Sequence, residues 1–283
     1  MTPQPTGFGV VGLGKMARAL LEPWIEDQLI DPQAVRAVVG SAASRDHWAT
    51  ATLAGHALRV STDPREAWSA PVVLLAVKPQ QLEAVAAVAA SIEPIERSAS
   101  SLAPVAGRPL LISVLAGVRL ERLRRLFPSR ACVRVVVNTP ALVRRGLTAL
   151  AWDGDPAEAR DWVEPLFRRV GDVWTLPEAQ LDAFLALTAS GPAFVALVAE
   201  ALADGAVAAG LPRALAQTLA LRTLSGTAAL LEEKDLHPGQ LKDMVSSPAG
   251  TTIAGLRELE RLGLRSALLE AVLAAAERSR ALG

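Results

Sequence analysis

The sequence predicts two domains of different class: an α/β, Rossmann-type doubly wound sheet over residues 1–177, then an all-α domain over residues 178–283. Three observations predict it. Short apolar runs alternate with helical patterns through the first part, the signature of a parallel sheet with crossover helices. The first run ends in a glycine pattern, Gly12-Leu13-Gly14-Lys15-Met16-Ala17. From Gln180 onward almost every window is helical, dominated by Ala and Leu.

The elements follow in order. "FGVVGLG" (8–14) opens as a strand and leads into the amphipathic helix "KMARALLEPWIED". Strands are expected at "AVRAVVG" (34–40), "HALRV" (56–60), "PVVLLAVKP" (71–79), "PLLISVLAG" (109–117) and "CVRVVVNTP" (132–140). The run at 71–79 is too continuously apolar for a one-sided strand and suits a centre strand buried on both faces. Segment 92–108, rich in Ser, Ala and Pro, reads as a surface excursion. After "GDVWTLPEA" (171–179) the helical part begins, punctuated by Pro192, Pro212, Pro238 and Pro248. Its first segment, 181–210, is apolar on nearly all sides. A helix of that kind must be buried, and so few surrounding helices cannot enclose it, so a second copy of the chain is the expected cover.

Composition narrows the function classes. Hydrophobic residues are 51% of the 283, which supports a large core and excludes disorder. Lys plus Arg and Asp plus Glu both number 29, with no basic stripe, so no nucleic-acid partner is expected. The lone Cys132 reads as a small core residue. Three scattered histidines give no metal site, and His237, before Pro238, reads as a helix cap. "MTPQPT" lacks a basic leader, and Glu200 and Asp204 interrupt the apolar stretch 191–211. A soluble cytoplasmic protein with no membrane contact is the expectation.

The glycine pattern has a physical reading at each position. Gly12 makes the tight turn, Gly14 lets backbone approach a pyrophosphate, and Ala17 permits close helix–strand packing. An acid that would hold ribose hydroxyls is missing after the second strand, where Gly40 and Ser41 stand. Ser41 and Arg45 would instead meet a 2′-phosphate, which favours NADPH over NADH. Near the C-terminus, "SSPAGTTIAGL" (246–256) sets a bare turn and two threonines at the mouth of a helix. Two readings stay open from these residues. Thr251 or Thr252 caps the helix, or its free N–H groups seat a carboxylate or phosphate.

Several stretches together resemble the pyrroline-5-carboxylate reductase family over essentially the whole chain. They are "GLGKMA", "LLAVKPQ" (74–80), "LISVLAGV" (111–118), "RVVVNTPA" (134–141), "TASGPAF" (188–194), "EALADGAVAAGLPR" (200–213) and "HPGQLKDMVSSPAGTTIAGL" (237–256). The resemblance implies hydride transfer from NAD(P)H to the C=N carbon of a cyclic imine, giving L-proline. It implies an all-helical dimerisation domain that interlocks with its twin, with dimers assembling further. It places the substrate carboxylate at Ser247, Gly250 and Thr251, and the ring nitrogen at Thr252. It sets Val77, Lys78 and Pro79 beside the cofactor, with Lys78 a catalytic candidate through electrostatic or water-linked contact. Ala116 and Gly117 would pass close to the nicotinamide, Asn138 would frame its carboxamide, and Ser190 would admit the substrate.

The chain departs from the family pattern at Lys15, usually asparagine, at Ala189 and Ala249, usually glycine, and at Phe194, usually tyrosine. A reductase of a six-membered cyclic imine acid therefore stands as an alternative, as does a catalytically idle nucleotide-binding homologue. A β-hydroxyacid enzyme would need a lysine in the long apolar helix, and the only lysines after residue 177 are Lys234 and Lys242.

Overall fold

The computed structural model describes residues 7–92, 108–154 and 157–282, so all but the two ends of the expected 92–108 excursion lies outside the described residues. They form two compact units, one of residues up to Ala189 with Ala276 onward, the other Ser190–Ala275.

The first unit is built on eight strands: β1 (Phe8–Val11), β2 (Val35–Val38), β3 (Arg59–Ser61), β4 (Val72–Leu75), β5 (Leu110–Ser113), β6 (Ala131–Val137), β7 (Gly146–Trp152) and β8 (Gly171–Thr175). Its helices are α1 (Lys15–Glu26), α2 (Ala42–Trp48), α3 (Arg65–Trp68), α4 (Leu82–Ile92), α5 (Leu120–Leu126), α6 (Ala157–Arg168) and α7 (Leu181–Thr188). The sheet order is β3-β2-β1-β4-β5-β6-β7-β8, and among these neighbours only the β6–β7 pair is antiparallel. The order reverses at β1 and β4, the switch point at which open sheets bind ligands. Val11 is in register with both Val38 and Leu75, so the three strands end flush there.

Side chains alternate between two cores, one on each face. Phe8, Val10, Val72, Leu74, Leu110 and Ile112 face one; Val11, Val73, Leu75 and Leu111 face the other. On the first face Trp24 of α1 is fully buried, edge-on to Phe8 and Phe167, and its Nε1–H donates to the Leu166 carbonyl at 2.6 Å. On the second, Trp68 stacks on Phe127 at 5.3 Å between centroids, with the Arg130 guanidinium on the Trp68 ring. β4 is buried throughout, as a centre strand should be.

Cys132 lies in this second core, and burial, with the charge of Asp153 adding, pushes its thiol from 9.0 up to about 12. A raised value keeps the neutral thiol in the folded state, so its contribution to stability is complete below pH 9.0 and is lost as pH rises toward 12. The native protein should therefore leave Cys132 unlabelled by an aromatic disulfide reagent at pH 8, and should react once unfolded.

β7 and β8 were not expected. "GLTALAW" pairs with β6 through Ala149, Leu150 and Ala151, but its Gly, Thr and alanines give no strong strand pattern. β8 is a partly exposed edge. The sequence reading divided the domains at 177, whereas the compact units divide after Ala189. α7 packs on β6 and β7, which keeps it with the sheet.

The second unit holds α8 (Gly191–Ala208), α9 (Arg213–Glu233), α10 (Pro238–Met244), α11 (Thr251–Arg261) and most of α12 (Leu264–Leu282). The expected continuous helix 181–210 is broken at Ala189–Ser190, just before Pro192, whose ring opposes an unbroken turn. α8 is also not buried within the chain. It meets α9 through Ala203, Ala216 and Ala220, while Val195, Leu197 and Leu202 are exposed. The run Glu178–Ala208 is long and apolar enough to cross a membrane by length and composition, a test that the core helix of a soluble protein also passes. His237 does cap α10: its Nδ1 accepts from the Gly239 N–H at 3.1 Å.

Candidate active site

A cleft of about 1080 Å³ opens over the flush ends of β1, β2 and β4. Gly12 has φ +91°, and a Cβ there would lie 2.9 Å from both the Ala76 carbonyl oxygen and Val77 Cγ1, so only glycine fits. Gly14 is the N-cap of α1 and makes no side-chain cap bond. Nothing lies within 4 Å of where its Cβ would stand, leaving room for a ligand against bare backbone. Leu13 is anchored in the core, exposed Lys15 and half-buried Met16 begin α1, and fully buried Ala17 brings that helix onto the sheet. First-turn N–H groups have no partner inside the helix, and no acid occupies this turn. The cradle fits a dinucleotide pyrophosphate.

Val77 and Lys78 line the same cleft, and Pro79 starts the turn that follows. The expected 2′-phosphate pair fares differently. Ser41 Oγ caps α2, accepting from the Ser44 N–H at 3.2 Å, and Arg45 pairs with its neighbour Asp46 at 2.7 Å. Neither is among the cleft-lining residues, whereas Arg18, Ser44, His47 and Trp48 are. The missed signal was helical phase: Ser44, His47 and Trp48 share one face of α2, and Arg45 turns off it. The Arg18 guanidinium sits 5.6 Å from the Trp48 ring centroid, joining α1 to α2.

Ala116 is exposed in the loop between β5 and α5, and Gly117 beside it has φ +74°. Asn138 is buried, and its amide is engaged on both sides. Its Nδ2 donates to the Thr188 carbonyl at 3.0 Å, and its Oδ1 accepts from the Leu147 N–H at 2.8 Å. Asn138 thus ties β6, β7 and α7 together at the place where backbone and this amide are expected to frame the carboxamide.

In the helical unit, Ser190 begins α8 without a side-chain cap, and Gly250 begins α11 the same way. The capping reading of Thr251 and Thr252 is therefore not met: both lie inside the first turn, Thr251 exposed and Thr252 half-buried. The turn is tight. Gly250 N–H donates to the Ser247 carbonyl at 3.0 Å, and a Cβ on Gly250 would lie 2.2 Å from Ser247 Oγ. Ala249 is held at φ +55°, a strained angle for a residue with a side chain. The outcome is a helix N-terminus fronted by Ser247 and two threonine hydroxyls, suited to a small anion.

Comparison with known proteins agrees along the whole chain. A family profile described as pyrroline-5-carboxylate reductase dimerisation matches residues 178–282, and one described as NADP oxidoreductase, coenzyme F420-dependent, matches residues 7–117. A pyrroline-5-carboxylate reductase of a Synechocystis strain is 45% identical, covering 98% of each chain. One from Methanosarcina acetivorans is 37% identical over 98% of this chain and 97% of its own. Among solved structures, a Plasmodium falciparum pyrroline carboxylate reductase with NADP bound superposes with a TM-score of 0.83, at 27% identity over 99% of both chains.

Proposed function

Because the chain belongs to the pyrroline-5-carboxylate reductase family, we infer that it reduces the C=N bond of pyrroline-5-carboxylate to give L-proline, with NADPH as preferred donor and NADH as the alternative. It is an oxidoreductase of proline biosynthesis with a nicotinamide cofactor. The observation that carries the finer reading is a matched pair of helix starts. α1 and α11 are each entered through a glycine, Gly14 and Gly250, with no side chain capping them. One seat suits a pyrophosphate and the other a substrate carboxylate.

The roles follow. Gly12, Leu13 and Gly14 hold the pyrophosphate against the amides of Lys15 and Met16, and the Lys15 charge strengthens that hold. When bound, the nicotinamide supplies the hydride. Val77, Lys78 and Pro79 border the cofactor, and Ala116 and Gly117 leave room for its ring. Asn138 acts by keeping the ends of β6 and β7 in place. Ser247, Gly250 and Thr251 seat the substrate carboxylate, Ser190 borders the substrate, and Thr252 Oγ1 hydrogen-bonds the ring nitrogen. A protonated cyclic imine is already an electrophile, so positioning matters more than a strong acid.

Arg18, Ser44 and His47 face the cleft where a 2′-phosphate would lie beyond Gly40, and they take over the part expected of Arg45, with Ser41 acting through Ser44. A charge-assisted hydrogen bond is worth about 1.5 kcal/mol, so Arg18→Ala should weaken NADPH binding roughly 10-fold. NADH binding should hardly change; equal loss for both cofactors in a fluorescence titration would remove Arg18 from this role.

The exposed face of α8, with Leu215, Leu219 and Leu221 of α9, supports a homodimer through the helical domains, and dimers that assemble further; the cytoplasm is the compartment we propose for it. The same face accounts for the apolarity of Glu178–Ala208 without a membrane.

The test follows absorbance of NADPH and of NADH, separately, on adding pyrroline-5-carboxylate or its six-membered homologue. Rapid NADPH oxidation with the five-membered substrate is expected. Preference for the larger ring would make the chain a sister reductase, and tight cofactor binding without turnover an idle homologue.

A further inference from the structure

β6 carries a charge where its neighbours are all apolar. The Arg134 side chain is 1% exposed. Its Nη1 lies 3.1 Å from Glu178 Oε1 and its Nη2 3.3 Å from Asp182 Oδ1. A buried ion pair is weak evidence for stability alone, and the carboxylates show what this one organises. Asp182 Oδ1 also accepts from Ser279 Oγ at 2.7 Å, and Ser279 is buried near the end of α12. Glu178 Oε1 also accepts from the Leu120 N–H, the first amide of α5, at 2.7 Å. One guanidinium thereby gathers the starts of α5 and α7 and the end of the chain.

The same chain end reaches the loop before α5. A Cβ on Gly117 would lie 2.9 Å from Leu282 Cβ, so Leu282 covers the residue whose φ is +74°. The loop is therefore held twice: Leu282 packs over Gly117, and Glu178 fixes the amide that follows it in α5. It leaves the C-terminal end of β5, the neighbour of β4, whose own end delivers Val77 and Lys78 to the cleft. The adenosine side of that cleft is lined from β2 and α2, so the β5 side faces the other half of a dinucleotide.

We propose that Ser279 and Leu282, at the end of α12, are positioning residues that hold the Ala116–Gly117 loop at the nicotinamide end of the cofactor cleft. This rests on the reductase reading of the cleft. Neither residue is a catalytic group; each acts through the loop it holds.

The test uses the full chain with Ser279→Ala, Leu282→Ala and Ser279→Thr. Leu282 is half-exposed, so its variant reports on the loop even where Ser279→Ala disturbs folding. Misplacing a reacting group by about 1 Å can cost up to 100-fold, so both alanine variants should lower kcat roughly 10-fold or more. The affinity for 2′,5′-ADP, which probes only the adenosine half, should stay within about 2-fold of wild type, since that half contacts neither residue. Ser279→Thr, which keeps the hydroxyl, should restore kcat. Unchanged kcat in both alanine variants, or a parallel loss of 2′,5′-ADP affinity, would overturn the proposal. Should wild type fail to reduce pyrroline-5-carboxylate, the reductase reading fails separately. NADPH affinity then decides the loop's part, weakened in the alanine variants against constant 2′,5′-ADP affinity or not.

Discussion

Thr252→Ala is expected to lower kcat/KM for pyrroline-5-carboxylate by roughly 10- to 100-fold while leaving NADPH affinity intact. Thr252 is the second residue of α11, half-buried, and its hydroxyl caps nothing. On the proposed role, its removal deletes a bond to the charged ring nitrogen and little else. Hydrogen bonds to charged groups are worth about 1.5–3 kcal/mol, which converts to that range. Alanine is also the better helix former by a few tenths of a kcal/mol, so the melting temperature should hold or rise slightly. Steady-state rates beside a thermal melt decide it. A variant as fast as wild type would leave α11 with an anion seat but no partner for the nitrogen.

Gly12→Ala is expected to remove most NADPH binding and to destabilise the protein. The new methyl meets the Ala76 carbonyl and Val77 Cγ1 at 2.9 Å, in a backbone conformation side chains avoid. Strain of this kind costs about 1–3 kcal/mol, a shift of several degrees in Tm. Gly14→Ala makes the contrast. Its methyl meets no protein atom within 4 Å, so the apoprotein should melt near wild type while affinity still falls, because the methyl occupies space left for the ligand. Identical melting behaviour of the two variants would contradict the different reasons given for the two glycines.

β1, β4 and β5 were legible because they are short, almost wholly apolar runs buried at every position. β7 was not, since its alanines and threonine become a strand only beside β6. The same locality decides the site. Gly12, Gly14 and Gly250 declare themselves through neighbours in sequence, because a turn is a local event. Asn138 does not, because its partners lie 9 and 50 residues away. Ser44 and His47 were passed over for Ser41 and Arg45 because the phase of α2 is set by where Trp48 must be buried. The part played by Arg134 in "CVRVVV" has no local signal, because the carboxylates it meets lie 44 and 48 residues further on.

The packing of α8 on α9 through alanines and one valine carries one more consequence. Three buried alanines, with partly buried Ala206 and Val207 beside them, remove little apolar surface from water, too little to offset the conformational entropy of ordering two long helices. In the proposed dimer the helical unit gains its stability by mass action between chains, so its melting point should climb as the protein is concentrated. Dilution, as much as heat, becomes a denaturant for this half of the molecule, while the sheet, with a core on either face, has no such dependence.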